Sequence, residues 1–125
     1  MSKYEDSMIY KYWGKVGGTL IKEYPVLLKS HNNARRLLDA VILPKHEKRI
    51  ASPLEIDLKG EDVIVVQAKA SRLGMYLMGQ AFFSAKLMKR LGPASIISVA
   101  LCKKDDAVLR SIFESYKGMK VEIIN

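Results

Sequence analysis

Val63-Ile64-Val65-Val66-Gln67-Ala68-Lys69 begins with four β-branched residues and ends polar. β-Branched side chains suit a pleated surface, and an unbroken apolar run suits a central strand covered on both faces. Side chains alternate across a strand, so Gln67 and Lys69 share the face of Val63 and Val65. Two polar groups thus close one apolar stripe. A lysine in such a place ordinarily marks the strand's emergence into water. A second apolar run, Leu37-Leu38-Asp39-Ala40-Val41-Ile42-Leu43, stops at Pro44 and holds one charged residue, Asp39. An acid there is costly to bury unless a cation or several donors surround it. If the two strands are neighbours, Asp39, Gln67 and Lys69 converge at one edge of a sheet.

Outward from this pair, the segment from Tyr4 to Glu23 spaces Met8, Tyr12, Val16 and Leu20 at helical intervals, which predicts a helix ended by Pro25. Gly14, Gly17 and Gly18 weaken such a helix, so either it breaks there or a neighbouring backbone comes close. The same glycines lack the spacing of a phosphate-binding loop, and no strand precedes them. Val26-Leu27-Leu28 reads as a short strand, Lys29 to Asn33 as a loop, and Lys45 to Ser52 as a polar, basic connector. Leu54-Glu55-Ile56-Asp57-Leu58 alternates as a half-exposed strand would, and Gly60 then turns the chain. Arg72 to Leu91 is rich in Leu, Met and Ala and meets Gly92-Pro93, which predicts a long helix. Ile96 to Leu101 predicts another buried strand. Asp105 or Asp106 caps a helix running toward Tyr116, and Val121 to Ile124 closes as a strand. The order helix, strands, helix, strand, helix, strand implies an α/β domain with a central mixed β-sheet flanked by helices.

A chain of 125 residues is the size of one compact domain. With 49% hydrophobic and 27% charged residues it has a globular balance, which sets aside a disordered or fibrous chain. A net charge of +8 favours a polyanionic partner, either nucleic acid or an anionic membrane surface; simple solubility is the plainer alternative. No apolar stretch is long enough to span a bilayer, and Met1-Ser2-Lys3-Tyr4-Glu5-Asp6 lacks the apolar core of a signal peptide. Cys102, the single cysteine, lies in an apolar run and reads as a buried, inert thiol. These features predict a soluble cytoplasmic protein with no membrane partner.

The order of these residues resembles the PD-(D/E)xK nucleases, in which a helix bearing an acid precedes a hairpin carrying an Asp and then a Glu-x-Lys. Glu23 at the expected helix end, Arg36-Leu37-Leu38-Asp39 opening a strand, Val65-Val66-Gln67-Ala68-Lys69 closing the next, and the long helix after it carry the likeness. Gln67 stands where most of the superfamily has an acid. Members resembling the Mrr restriction endonucleases carry Gln-x-Lys there, although their glycine-rich signature around the Asp is absent from this chain. The resemblance implies a restriction-endonuclease-like core and a metal-dependent endonuclease acting on nucleic acid, with DNA the expected substrate. It also implies that Asp39, the Gln67 side chain, the Ala68 carbonyl and Glu23 hold Mg²⁺ or Mn²⁺, and that Lys69 orients or activates the attacking water. A neutral amide can ligate a hard cation but adds no charge, so Asp39 and Glu23 would hold the metal. Phosphodiester hydrolysis needs a nucleophile formed at neutral pH and relief of growing negative charge, and a metal beside a lysine supplies both.

Asp57 competes for the Asp role, with Glu55 on its face. Asp39 is preferred because its surroundings are more apolar and Arg36 precedes it; Asp57 and Glu55 also fit a solvated strand face. Tyr76 and Gln80 are four apart on the long helix and share a face, with Ser84 nearby. Nucleases of the RecB type often carry a glutamine on this helix, which by resemblance makes Gln80 a site residue, while Tyr76 reads as packing. Met75, Met78, Phe82, Phe83, Leu87 and Met88 read as core or subunit interface. Arg36, Lys45, Lys48, Arg49 and Arg72 flank the motif and are the expected phosphate contacts, though each also fits an ordinary solvated surface. His31 and His46 lack metal-ligand spacing and read as surface residues. So small a chain has little surface for grasping a duplex, and a homodimer is expected. A reading of a different class keeps the fold without catalysis, as a binding module for nucleic acid or a partner whose neutral Gln67 marks a lapsed metal site.

Overall fold

The computed structural model describes residues 2–125, and its first helix, α1, spans Lys3–Val16. The Ser2 hydroxyl accepts from the Glu5 N–H at 3.2 Å, and the Glu5 carboxylate accepts from the Ser2 N–H at 3.3 Å. Such a reciprocal cap stabilises a helix by about 1 kcal/mol. The helix stops at Val16 rather than near Glu23. Gly17 and Gly18 turn to φ values of 77° and 79°, and a Cβ on Gly18 would lie 2.4 Å from the Leu43 carbonyl oxygen. The glycines therefore break the helix and also admit a neighbouring backbone. Trp13 closes this corner by donating its indole N–H to the Gly18 carbonyl at 2.8 Å.

The chain then enters strand β1, Thr19–Leu27, so the expected short strand at Val26 is the end of a longer one that includes Glu23. Strand β2, Arg36–Leu43, follows, then the two-residue edge strand β3, Arg49–Ile50, and the central strand β4, Asp62–Arg72. Helix α2, Met75–Lys89, leads to strand β5, Ser95–Lys104; helix α3, Ala107–Glu114, leads to strand β6, Met119–Ile123. The strands form one mixed sheet in the order β3-β1-β2-β4-β5-β6. β2 is antiparallel to β1 and β4, whereas β5 and β6 continue parallel to β4, as strand–helix–strand crossovers require. This is the α/β architecture expected from the element order.

Alternation along β4 builds two cores. Ile64, Val66 and Ala68 meet Met8, Ile9 and Tyr12 of α1, while Val63 and Val65 meet Met88 of α2. Leu77 and Ala81 of α2, Phe113 of α3 and Cys102 of β5 form a third cluster beside the second. One helix thus covers one face and two cover the other. Burial pushes the Cys102 thiol above its ordinary range, in keeping with an inert packed group.

Two local expectations change, and one open alternative is decided. Leu54 to Leu58 is a loop rather than a strand: the chain turns at Pro53, Leu54 is 93% exposed, and Asp57 accepts from the Lys59 N–H at 3.0 Å within that loop. β4 extends to Arg72, which delays α2 to Met75. Asp106, rather than Asp105, caps α3 by accepting from the Leu109 N–H at 3.0 Å. Among the described residues, no helix is long and apolar enough to cross a membrane.

Candidate functional site

The ladder between β2 and β4 runs through Ile42↔Ile64, Val41↔Val65 and Ala40↔Val66, and there it stops. One position further, side chains take over. The Gln67 Oε1 accepts from the Asp39 N–H at 3.3 Å, and the Asp39 Oδ2 accepts from the Ala68 N–H at 2.9 Å. Strand β4 stays paired with β5 as far as Lys69↔Cys102, so the divergence lies only on the β2 side. Within a strand, the N–H and C=O of one residue point the same way, so the Ala68 carbonyl also faces this fork. The other end of the Gln67 amide donates to the Ser84 hydroxyl of α2 at 2.7 Å. At 5% exposure, Gln67 is a buried strut between β2 and α2, with one Oε1 lone pair left over.

Glu23 stands opposite Asp39 by count, between the pairs Lys22↔Ala40 and Tyr24↔Leu38. Its φ of 51° makes it the one described non-glycine residue with a left-handed backbone, which costs roughly 1–2 kcal/mol. Both strands change faces at this rung. Leu20 and Ala40 pack toward α1, whereas Tyr24 and Leu38 pack in the cluster that contains Met88. Strict alternation would keep Leu38 on the face of Ala40.

Burial pushes the Asp39 carboxyl above its ordinary range; the Ala68 N–H pulls it back, and Glu5 and Glu23 add to the upward push. Glu5 is the acid that sequence reading passed over. Its Oε2 accepts from the Ala70 N–H of β4 at 3.2 Å, so the helical acid beside the strand motif is Glu5, not Glu23. Its one signal in the sequence was the Ser2-x-x-Glu5 cap. Lys69 is exposed, shares the Gln67 face through the unbroken β4–β5 register, and has no carboxylate within ion-pair distance among the described residues.

Gln80 lies on α2 beside the fork, in a cleft of about 280 Å³ that also includes Arg36, Gln67, Tyr76, Phe83 and Ser84. Tyr76 is 73% exposed and does not pack as expected. The expected phosphate contacts divide. Arg36 opens β2 at the cleft, and Arg72 sits at the carboxyl end of β4, where it donates to the Asp105 carbonyl at 2.8 Å. Lys45, Lys48 and Arg49 gather at the far end. Lys45 pairs with Asp62 at 2.5 Å, Lys48 sits 5.5 Å from the Trp13 ring centre, and Arg49 pairs with Glu55 at 2.9 Å. From Asp62 to Gln67 is roughly 17 Å of extended strand. In their place Lys103 and Lys104 arrive, Lys104 directly opposite Arg72. His46 is held by Glu61 at 2.8 Å, and His31 is exposed.

No family model, curated protein or solved structure matches this chain.

The fork offers oxygen donors to a hard divalent cation. The Asp39 Oδ1 takes no hydrogen bond from the described residues, its carboxylate is partly desolvated, and the Ala68 carbonyl faces the same gap. Among the described residues no three His, Cys, Asp or Glu side chains cluster as a ready-made metal cage. Mg²⁺ commonly takes one or two carboxylates and keeps several waters, so such a donor set fits it.

Proposed function

We propose that the protein is a divalent-metal-dependent nuclease of the PD-(D/E)xK type, with Asp39 and the Ala68 carbonyl as the core of the metal site. The observation that carries this reading is the Asp39–Ala68 hydrogen bond at the fork, which holds a partly desolvated carboxylate where β2 and β4 part. Glu5 and Glu23 bring further negative charge to the same carboxylate, and Lys69 brings a cation to the next exposed position of β4. Mg²⁺ or Mn²⁺ would supply a water acidic enough to attack near neutral pH. Lys69 orients that water or offsets charge on the phosphate, Gln67 fixes the Asp39 backbone, and Ser84 fixes Gln67. Arg36, Arg72, Lys103 and Lys104 form the cationic surroundings that a phosphate backbone needs.

A silent binding module remains the second reading, supported by a specific feature: both ends of the Gln67 amide are engaged inside the protein. The deciding experiment incubates the purified chain with supercoiled, linear, single-stranded and branched DNA, and with RNA, in EDTA, Mg²⁺ or Mn²⁺. Cutting that requires metal and is lost in folded Asp39→Ala and Lys69→Ala supports the nuclease. Equal binding by wild type and Lys69→Ala with no cutting by either supports the silent module.

A further inference from the structure

Tyr76, Gln80 and Phe83 form one stripe along α2, at the spacing that places side chains three and four residues apart on the same face. Burial does not account for the two rings. Tyr76 is 73% and Phe83 68% exposed, and Gln80 lies exposed between them. Across the cleft stand Leu37, 42% exposed, and Arg36, while Gln67 and Ser84 reach its inner end. At about 280 Å³ the cleft is close to the lower size limit of small-molecule sites, so it admits one flat ring system with its sugar and excludes a duplex. The cleft reaches the fork through Gln67, whose Oε1 holds the Asp39 backbone.

From this combination we infer that the cleft takes an unpaired nucleobase of the substrate strand, stacked on Tyr76 or Phe83. The Gln80 amide faces the base edge and the Arg36 guanidinium takes the adjacent phosphate. Every base has a π-face, so aromatic platforms beside cations hold single strands with little sequence preference. An amide carries both donors and an acceptor, which adds discrimination at one base. Duplex bases are already stacked and cannot enter. The substrate class is therefore nucleic acid with an unstacked nucleotide, in a single strand or displaced from a helix at a mismatch, bulge or junction. This inference rests on the nucleic-acid reading of the fork, but it is tested without metal or cleavage.

The experiment measures fluorescence anisotropy in EDTA with four labelled probes: a single strand, the same strand with abasic sites, the blunt duplex, and the duplex carrying one unpaired base. Wild type binds the single strand and the bulged duplex more tightly than the abasic strand or the blunt duplex. Alanine at whichever of Tyr76 and Phe83 carries the base weakens single-strand binding about 5- to 150-fold, the range for loss of one stacked base, the double variant Tyr76→Ala/Phe83→Ala weakens it at least as much, and abasic-strand binding is unchanged. Both side chains are exposed, so unchanged thermal midpoints verify the variants. Equal binding of the native and abasic strands, or preference for the blunt duplex, overturns the inference while leaving the nuclease reading intact. No binding to any probe overturns both. If the double variant binds single strands like wild type but a wild-type dimer becomes monomeric in sedimentation, the rings serve a second copy of the chain and the inference falls. Absence of metal-dependent cutting alongside the expected binding pattern counts against the nuclease alone.

Discussion

The Asp39 carboxylate occupies the place of a main-chain rung: it accepts from the Ala68 N–H at 2.9 Å immediately beyond the last backbone pair, Ala40↔Val66. An acid that completes a sheet in this way is held in position before any ligand arrives. It is also held at a cost, since burial and two neighbouring carboxylates disfavour its charge.

That cost has a pH signature. The folded Asp39 pKa is raised, so between its ordinary value and the raised one the folded state binds more protons than the unfolded state. Stability contributed by the protonated form is present below the ordinary carboxylate range and is lost as pH rises through the folded value. Asp39→Asn, which keeps an oxygen for the Ala68 N–H, is expected to melt at or above wild type at neutral pH, with the gap narrowing on acidification. Thermal melts across the carboxylate range check this, and an Asn variant that melts well below wild type at neutral pH refutes it.

Mg²⁺ or Mn²⁺ is expected to raise the wild-type melting temperature and to leave Asp39→Asn unmoved. Binding to the native state stabilises by mass action, about 2.7 kcal/mol at a hundredfold excess over Kd. Equal shifts in the two proteins would show that the cation binds elsewhere.

Gln67→Glu places a second carboxylate, buried, against Asp39 and removes the donor to Ser84. In EDTA this variant is expected to lose about 1–3 kcal/mol of stability, and divalent cation is expected to recover much of it. Ser84→Ala strands the buried Gln67 N–H group and should cost a similar amount that no metal restores. Denaturant titrations with and without Mg²⁺ separate the two.

The basic residues should sort by their place on the sheet rather than in the sequence. Removing Arg72 or Lys104 is expected to reduce the salt dependence of nucleic-acid binding by about one unit of slope, as loss of one phosphate contact does. Removing Lys45 or Arg49, each already paired with an acid at the far end, is expected to leave the slope unchanged. A flat salt response in wild type would remove nucleic acid as a partner.

Gly18→Ala is expected to destabilise by at least about 2 kcal/mol, because strain at positive φ and overlap with the Leu43 carbonyl add. Gly14, with open space around its Cβ position, should gain from the same change because alanine is the better helix former. Chemical denaturation of the two variants supplies the comparison.

The sequence alone determined the apolar runs, the alternation that sets Gln67 and Lys69 on one face, the order of helices and strands, and Asp39 as the one charged residue in the run from Leu37 to Leu43. Such features depend on periodicity and turn chemistry within a few residues, which any reading of the chain can count. Tertiary structure decided which groups gather around Asp39, Gln67 and the carboxyl end of β4. Glu5 arrives from a helix on the sheet's α1 face, Ser84 from the opposite helix, and Lys103 and Lys104 from the neighbouring strand, while Lys45, Lys48 and Arg49 are carried to the other end. These meetings depend on strand register and on the face each helix covers. They also depend on a left-handed Glu23 that no local pattern announces, because an ordinary glutamate adopts that backbone only when the surrounding sheet holds it there.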